Sequence, residues 1–111
     1  MGFFDFIFPG GKNPQLTVAQ AAAAHSAGAP VVDIREIIEW NKGHVPSSIH
    51  LPKARLFRPT TQLPDGSPLI VMCQDGRTSL DVARKLNKLG VEATSVYGGF
   101  VAWKSAGYKV E

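Results

Sequence analysis

One cysteine, 9% aromatic residues, few charges in excess of either sign and no long apolar run are what this sequence lacks. Each scarcity excludes something. A single thiol, Cys73, cannot close an internal disulfide, so it is either a small buried apolar residue or a working thiol. A membrane-spanning helix needs about 20 consecutive apolar residues, and no stretch of the chain approaches that. The net charge of +3 is slight and the basic residues are dispersed, which gives nucleic-acid binding no support. The opening, MGFFDFIFPGG, lacks the basic flank and small-residue cleavage site of a secretory signal, and position 6 is Phe where a myristoylation signal wants Ser or Thr. A reducing cytoplasm is therefore the expected setting. What remains is ordinary: 111 residues, 44% hydrophobic and 19% charged, enough for one compact domain with a modest core.

The chain divides at its start. Residues 1–14 read as an aromatic extension and linker, FFDFIF followed by the connector PGGKNP, and 15–111 read as the folded domain. In TVAQAAAAHSAG, Thr17 and Gln20 are spaced as a capping box, and Gly28 stands where a helix C-terminal cap belongs. PVVDI (30–34) is a β-branched run suited to a strand buried on both faces. REIIEWNKG predicts a short helix ending at Gly43, and SSIHLP predicts a strand stopped by Pro52. Residues 53–67 read as irregular, with turns at Pro59 and at Pro64-Asp65-Gly66. PLIVM (68–72) is the clearest buried strand. A helix follows from Thr78 or Ser79 to Leu89, with Val82, Leu86 and Leu89 on one face, Asp81 spaced to pair with Lys85, and Gly90 closing the end. EATSVY predicts a strand, Gly98-Gly99 a tight turn, and FVAWKSAG a last helix. Strands alternating with helices over short connections define an α/β fold with a parallel sheet covered on both faces.

The stretch MCQDGRTS (72–79) holds the thiol at a junction of strand and helix. In an open parallel sheet, ligands bind beyond the carboxyl ends of the strands, where loops enter helices. Backbone N–H groups of such a loop converge, the helix dipole adds positive potential, and Gly76 allows a tight curl. A nest of this kind holds an anion, and by the same means a thiolate. A buried structural cysteine needs neither donors nor a flexible turn around it, so the surrounding Gly-Arg-Thr-Ser favours a nucleophile facing an anionic substrate.

The whole pattern resembles the single-domain rhodaneses, sulfurtransferases that carry sulfur as a cysteine persulfide. VVDIREIIEWNKGHVPSSIHLP is similar to the family's first signature, VMCQDGRTSLDVARKLNKLG to its active-site loop and helix, and VYGGFVAWKSAGYKV to its closing segment. The likeness runs from about Leu16 to Val110. It implies a three-layer α/β/α sandwich around a central, mostly parallel five-stranded sheet. It also implies that Cys73 takes sulfur from a small anionic donor such as thiosulfate and passes it to cyanide, a thiol or a protein acceptor, without metal or organic cofactor. Backbone amides of residues 74–78 would hold the persulfide anion, and Gln74, Asp75, Gly76, Arg77, Thr78 and Ser79 form the substrate loop. Asp33 and Arg35 are expected as a charge-assisted brace beside that loop, and His44 as a further structural brace near the site that fixes the GHVP turn by hydrogen bonding.

One departure stands out. Many relatives place arginine where this chain has Thr78; here the arginine comes one residue earlier, as Arg77. Asp75 offsets that charge, so a weaker pull on a dianion is expected, with a neutral or protein-bound donor as the alternative. Cysteine phosphatases on the related fold need an arginine where this chain has Ser79, which argues against phosphoryl chemistry and weakens arsenate reduction. A non-enzymatic persulfide carrier or regulatory module stays open. His44 and His50 lack the paired-ligand spacing of a zinc site. Trp40 and Trp103 are expected to pack. Lys53, Arg55 and Arg58 are the densest basic cluster, a solvated loop or a rim for an anionic donor. Phe3, Phe4, Phe6, Ile7 and Phe8 are expected to pack on the domain or on a second copy as a homodimer; the segment is short for stable membrane anchoring.

Overall fold

The computed structural model describes residues 14–111, and the expectations for Phe3 to Phe8 lie outside the described residues. Ten elements follow in order: β1 (Gln15–Leu16), α1 (Val18–Ser26), β2 (Val31–Asp33), α2 (Ile37–Lys42), β3 (Ile49–His50), α3 (Lys53–Leu56), β4 (Leu69–Met72), α4 (Arg77–Lys88), β5 (Ala93–Val96) and α5 (Gly99–Ser105). The strands form one five-stranded sheet in the order β1-β5-β4-β2-β3, and every pairing is parallel.

Strand parity divides the core into two layers. Side chains alternate between faces along a strand, so Val31, Ile70 and Met72 pack with α1 and α5, beside Ala21, Ala24, Phe100 and Trp103. Val32, Leu69, Val71 and Cys73 face the other way, against Leu56 of α3 and Val82, Ala83 and Leu86 of α4. The same alternation puts Ser95, paired in register with Val71, on the α4 side of β5. β4 sits at the centre of the sheet, buried at all four positions. Cys73 is therefore delivered at the carboxyl edge of the central strand, on the face that α4 covers. Among the described residues, no helix is long and apolar enough to cross a membrane.

The capping box at α1 forms as the sequence implies: Thr17 Oγ1 accepts from Gln20 N–H at 3.1 Å, and Gln20 Oε1 accepts from Thr17 N–H at 2.9 Å. Other expectations need correction. Residues 53–67 are not wholly irregular, because Lys53–Leu56 make one helical turn that buries Leu56. One turn is too short to show a helical period. The edge strand β1 was likewise invisible, since two residues carry no alternation. α4 begins at Arg77, and its buried face is Ser79, Val82, Ala83 and Leu86. Leu89 lies past the last helical residue and is 65% exposed. Asp81 faces Arg84 at 3.8 Å, while Lys85 sits 4.4 Å over the Phe57 ring. An aromatic just past the end of α3 thus takes the cation that helical spacing assigned to Asp81.

The turn between β5 and α5 approaches the Cys73 loop so closely that only glycine fits. A Cβ on Gly99, whose φ is +61°, would lie 2.6 Å from the Cys73 carbonyl oxygen and 2.7 Å from Gln74 backbone atoms. Gly90 also has positive φ (+89°) but open space around it. The two positions separate backbone strain from steric collision. Urea denaturation is expected to show Gly90→Ala costing about 1 kcal/mol from left-handed strain alone. Gly99→Ala is expected to cost about 3 kcal/mol, strain and collision together.

Candidate active site

Cys73 follows β4 directly, and the chain then curls through Gln74 and Asp75 to Gly76, which caps α4 with φ +90°. This left-handed residue turns two amides back toward the sulfur. Gly76 N–H donates to Cys73 Sγ at 3.1 Å and Ser79 N–H at 3.3 Å. The Ser79 hydroxyl oxygen lies 3.2 Å from Sγ, and on its far side 2.6 Å from Ser95 Oγ. Ser79 and Ser95 are both fully buried. Cys73 itself is 5% exposed, with aliphatic neighbours on its sheet side and these donors on its loop side.

The amides that reach Cys73 Sγ are those of Gly76, within the expected 74–78 cradle, and of Ser79, one residue beyond it. Arg77 N–H turns instead to Asp75 Oδ1 at 3.0 Å. One helical turn separates the two working amides from each other, because the curl must complete before N–H groups point back along the axis. Asp75 Oδ1 lies 4.0 Å from Sγ, where its charge opposes that of a thiolate. Arg77 is exposed and lines a groove of about 400 Å³ against the loop with Gln15, Asp75, Gly76, Leu80 and Tyr97. It is not among the groups on Sγ. Thr78 is exposed on the first turn of α4.

The loop is clamped from its outer side as well. Phe100 N–H donates to the Cys73 carbonyl at 2.8 Å and Val101 N–H to the Gln74 carbonyl at 3.1 Å. The free amides of α5's first turn thereby satisfy the carbonyls of the Cys73 loop. Gly76 packs against the same turn: a Cβ there would lie 2.8 Å from Gly98 N and from Val96 O.

Asp33 and Arg35 brace the loop. Asp33 accepts from Arg35 Nε (3.0 Å) and Nη2 (2.8 Å) and from the Arg35 backbone N–H (2.9 Å). The guanidinium also donates to the Gly43 carbonyl at 2.7 Å and to Gln74 Oε1 at 3.0 Å, and lies 4.1 Å from the Phe100 ring centroid. Both side chains are buried. Arg35 is the knot joining β2, the turn after α2, the Cys73 loop and α5. His44 is elsewhere: its Nδ1 is 3.0 Å from Trp40 O, its ring stacks on Trp40 at 3.6 Å, and its backbone pairs with Glu111. His50 is nearer the brace, with Nε2 2.7 Å from the Arg35 carbonyl. Trp40 is half-buried and stacked on both histidines, while Trp103 is buried in the α1/α5 layer. No cluster of three metal-ligating side chains occurs among the described residues. Lys53 lines a second groove, about 420 Å³, with Glu36, Phe57, Asp81 and Lys85; Arg55 and Arg58 are exposed.

Ser95 is the site neighbour that sequence reasoning missed. Its one signal was a run of small and polar residues, Ala-Thr-Ser, in a strand otherwise suited to large apolar ones.

Comparison with known proteins agrees with this architecture. Residues 17–106 match the model of the rhodanese-like domain. The chain is 34% identical over 92 residues to a thiosulfate sulfurtransferase GlpE of Tolumonas auensis, covering 81% of this chain and 87% of that one. It is 36% identical over 92 residues to the protein of that name from Ectopseudomonas mendocina, covering 82% and 84%. The crystal structure of a rhodanese-related protein from Thermoplasma volcanium superposes with a TM-score of 0.80 at 28% identity, covering 88% of this chain and 97% of that one. The chain belongs to the rhodanese-like domain family.

The brace can be tested by leaving its cation alone. Removing one partner of a buried ion pair costs about 3–5 kcal/mol, because the other charge stays desolvated. Asp33→Ala is expected to lower stability by that amount in urea denaturation. Since Arg35 also holds Gln74, proteolysis of the variant is expected to begin in the 74–78 loop.

Proposed function

We propose that the protein is a sulfurtransferase of the thiosulfate type and that Cys73 carries the sulfur as a persulfide. The observation that carries this reading is the convergence of two amides and one hydroxyl on a lone sulfur at the carboxyl edge of the central strand. The relatives named thiosulfate sulfurtransferase support it.

The chemistry takes two displacements. In the first, the Cys73 thiolate attacks the outer sulfur of thiosulfate; a new S–S bond forms, the donor's S–S bond breaks, and sulfite leaves with the bonding pair. In the second, a nucleophile such as cyanide or a thiolate attacks the outer persulfide sulfur, and Cys73 leaves as a thiolate. Negative charge is present on sulfur at every stage. The Gly76 and Ser79 amides are aimed at Sγ, which carries the charge in the attacking thiolate and again when Cys73 leaves in the second displacement, so no reorganisation is needed at those two stages. Two half-reactions through a covalent intermediate give ping-pong kinetics. Phosphoryl chemistry is disfavoured, because Ser79 occupies the position where an arginine would have to clamp the phosphoryl group.

Asp75 sets the limit on donor binding. A carboxylate 4.0 Å from the nucleophile repels both the thiolate and an arriving dianion, and the exposed Arg77 only partly offsets it. A modest affinity for thiosulfate follows, with a less charged donor better tolerated.

Two measurements check the proposal. Incubation with thiosulfate and intact mass measurement are expected to show one added sulfur on the wild type, removable by cyanide, and none on Cys73→Ser. An unmodified wild type would overturn the reading; a persulfide that forms but passes only to a protein acceptor would make the chain a carrier. In steady-state assays, Asp75→Asn is expected to lower KM for thiosulfate about three- to tenfold at low ionic strength, and less as salt is added. An unchanged KM at low salt would remove Asp75 from the account.

A further inference from the structure

Cys73 Sγ, Ser79 Oγ, Ser95 Oγ and the Gly76 carbonyl oxygen form a buried chain with successive separations of 3.2, 2.6 and 3.4 Å. A hydroxyl both donates and accepts, and its proton rotates to suit its neighbours. The chain therefore has two self-consistent directions. When Cys73 is a thiol, S–H donates to Ser79, Ser79 donates to Ser95, and Ser95 donates to the Gly76 carbonyl. When Cys73 is anionic, it has no proton to give and must accept. Ser79 then donates to sulfur, and Ser95 must turn and donate to Ser79. The reversal strands no group, because the Gly76 carbonyl keeps the Leu80 N–H at 3.3 Å.

We propose that Ser95 is a positioning residue for the sulfur chemistry, whose hydroxyl orients and polarises Ser79 so that it donates to the anionic sulfur. This rests on the reading of Cys73 as the sulfur-carrying nucleophile. The physical reason is cooperativity: a hydroxyl that accepts a hydrogen bond becomes a better donor. The other group facing the far side of Ser79 is β5, and Ser95 is the residue that β5 supplies there. Without it, Ser79 keeps sulfur as its one partner, and nothing donates to its hydroxyl when that hydroxyl donates to sulfur. Ser95 is completely buried, so water does not replace its hydroxyl in the folded chain.

The test compares wild type, Ser95→Ala, Ser79→Ala and the double variant. Two rates are read: iodoacetamide alkylation of Cys73 at one fixed pH, and thiosulfate:cyanide turnover. Ser95→Ala is expected to slow alkylation and lower kcat about fivefold, the worth of one ordinary hydrogen bond. KM for thiosulfate should stay within about twofold, since Ser95 acts on the nucleophile and not on donor binding. The decisive result is non-additivity: because Ser95 acts through Ser79, the double variant should be no slower than Ser79→Ala. A merely structural serine would give additive losses, and that outcome, or wild-type rates in Ser95→Ala, overturns the proposal. Urea unfolding checks each variant; if Ser95→Ala does not fold, Ser95→Cys, close in volume and a weak donor, enters the same comparison. Loss of turnover in the wild type with the alkylation pattern intact would sink the sulfurtransferase reading and leave the relay standing. Normal turnover with additive alkylation would sink the relay alone.

Discussion

The contact between the glycine turn at 98–99 and the Cys73 loop fixes the rest of the site. Carbonyls of Cys73 and Gln74 point outward to the first amides of α5, and the amides of Gly76 and Ser79 point inward to sulfur. A peptide unit carries its N–H and C=O on opposite sides. Holding the Cys73 and Gln74 carbonyls on α5 fixes those two peptide units, whose own amides are those of Gln74 and Asp75, and so sets where the next turn presents the Gly76 N–H. The arrangement uses backbone groups on both faces, so little side-chain entropy is lost in making it. It works only because no Cβ stands between the segments at Gly76 or Gly99.

Burial and charge pull against each other at Cys73. A sulfur that is 5% exposed loses most of its water, which disfavours an anion. Two amides, a hydroxyl and the end of a twelve-residue helix replace that water with fixed dipoles. Asp75 acts in the opposite sense from 4.0 Å, but it faces solvent, where screening weakens it. The donors are buried and the opposing charge is not.

Much of this was legible in the chain. The run PLIVM followed by Cys, Gly76 and a helical pattern placed the thiol at a strand edge, and the rhodanese likeness gave the sheet around it. The two Gly-Gly and Asp-x-Arg motifs were visible as motifs. What they touch was not, because the contacts span from position 35 to 74 and from 73 to 100, and no local period encodes such pairings. Which amides reach Sγ was not legible for a related reason: a loop's composition shows that donors are available, whereas their directions depend on where the helix starts, and α4 starts at Arg77. Ser95 was hidden by its own strand. A small residue between Thr94 and Val96 looks like filler until register sets it beside Val71, two positions before the cysteine on the neighbouring strand.

The supports of Cys73 come from β2 through Arg35, from α4 through Ser79, from β5 through Ser95 and from α5 through Phe100. These residues span positions 35 to 100, so no short fragment contains them. β5 and α5 come last in the chain, yet they supply the clamp and the second hydroxyl. Until they dock, the Cys73 and Gln74 carbonyls lack these partners, and the loop is held from the β2 side through Arg35 alone. Docking also buries Ser95 and closes the α4 layer over Cys73. The donors around Cys73 Sγ and the burial that limits access to it arrive together. The cradle of amides and hydroxyls around Cys73 is thus a property of the completed fold, and a partly folded chain presents the thiol without it.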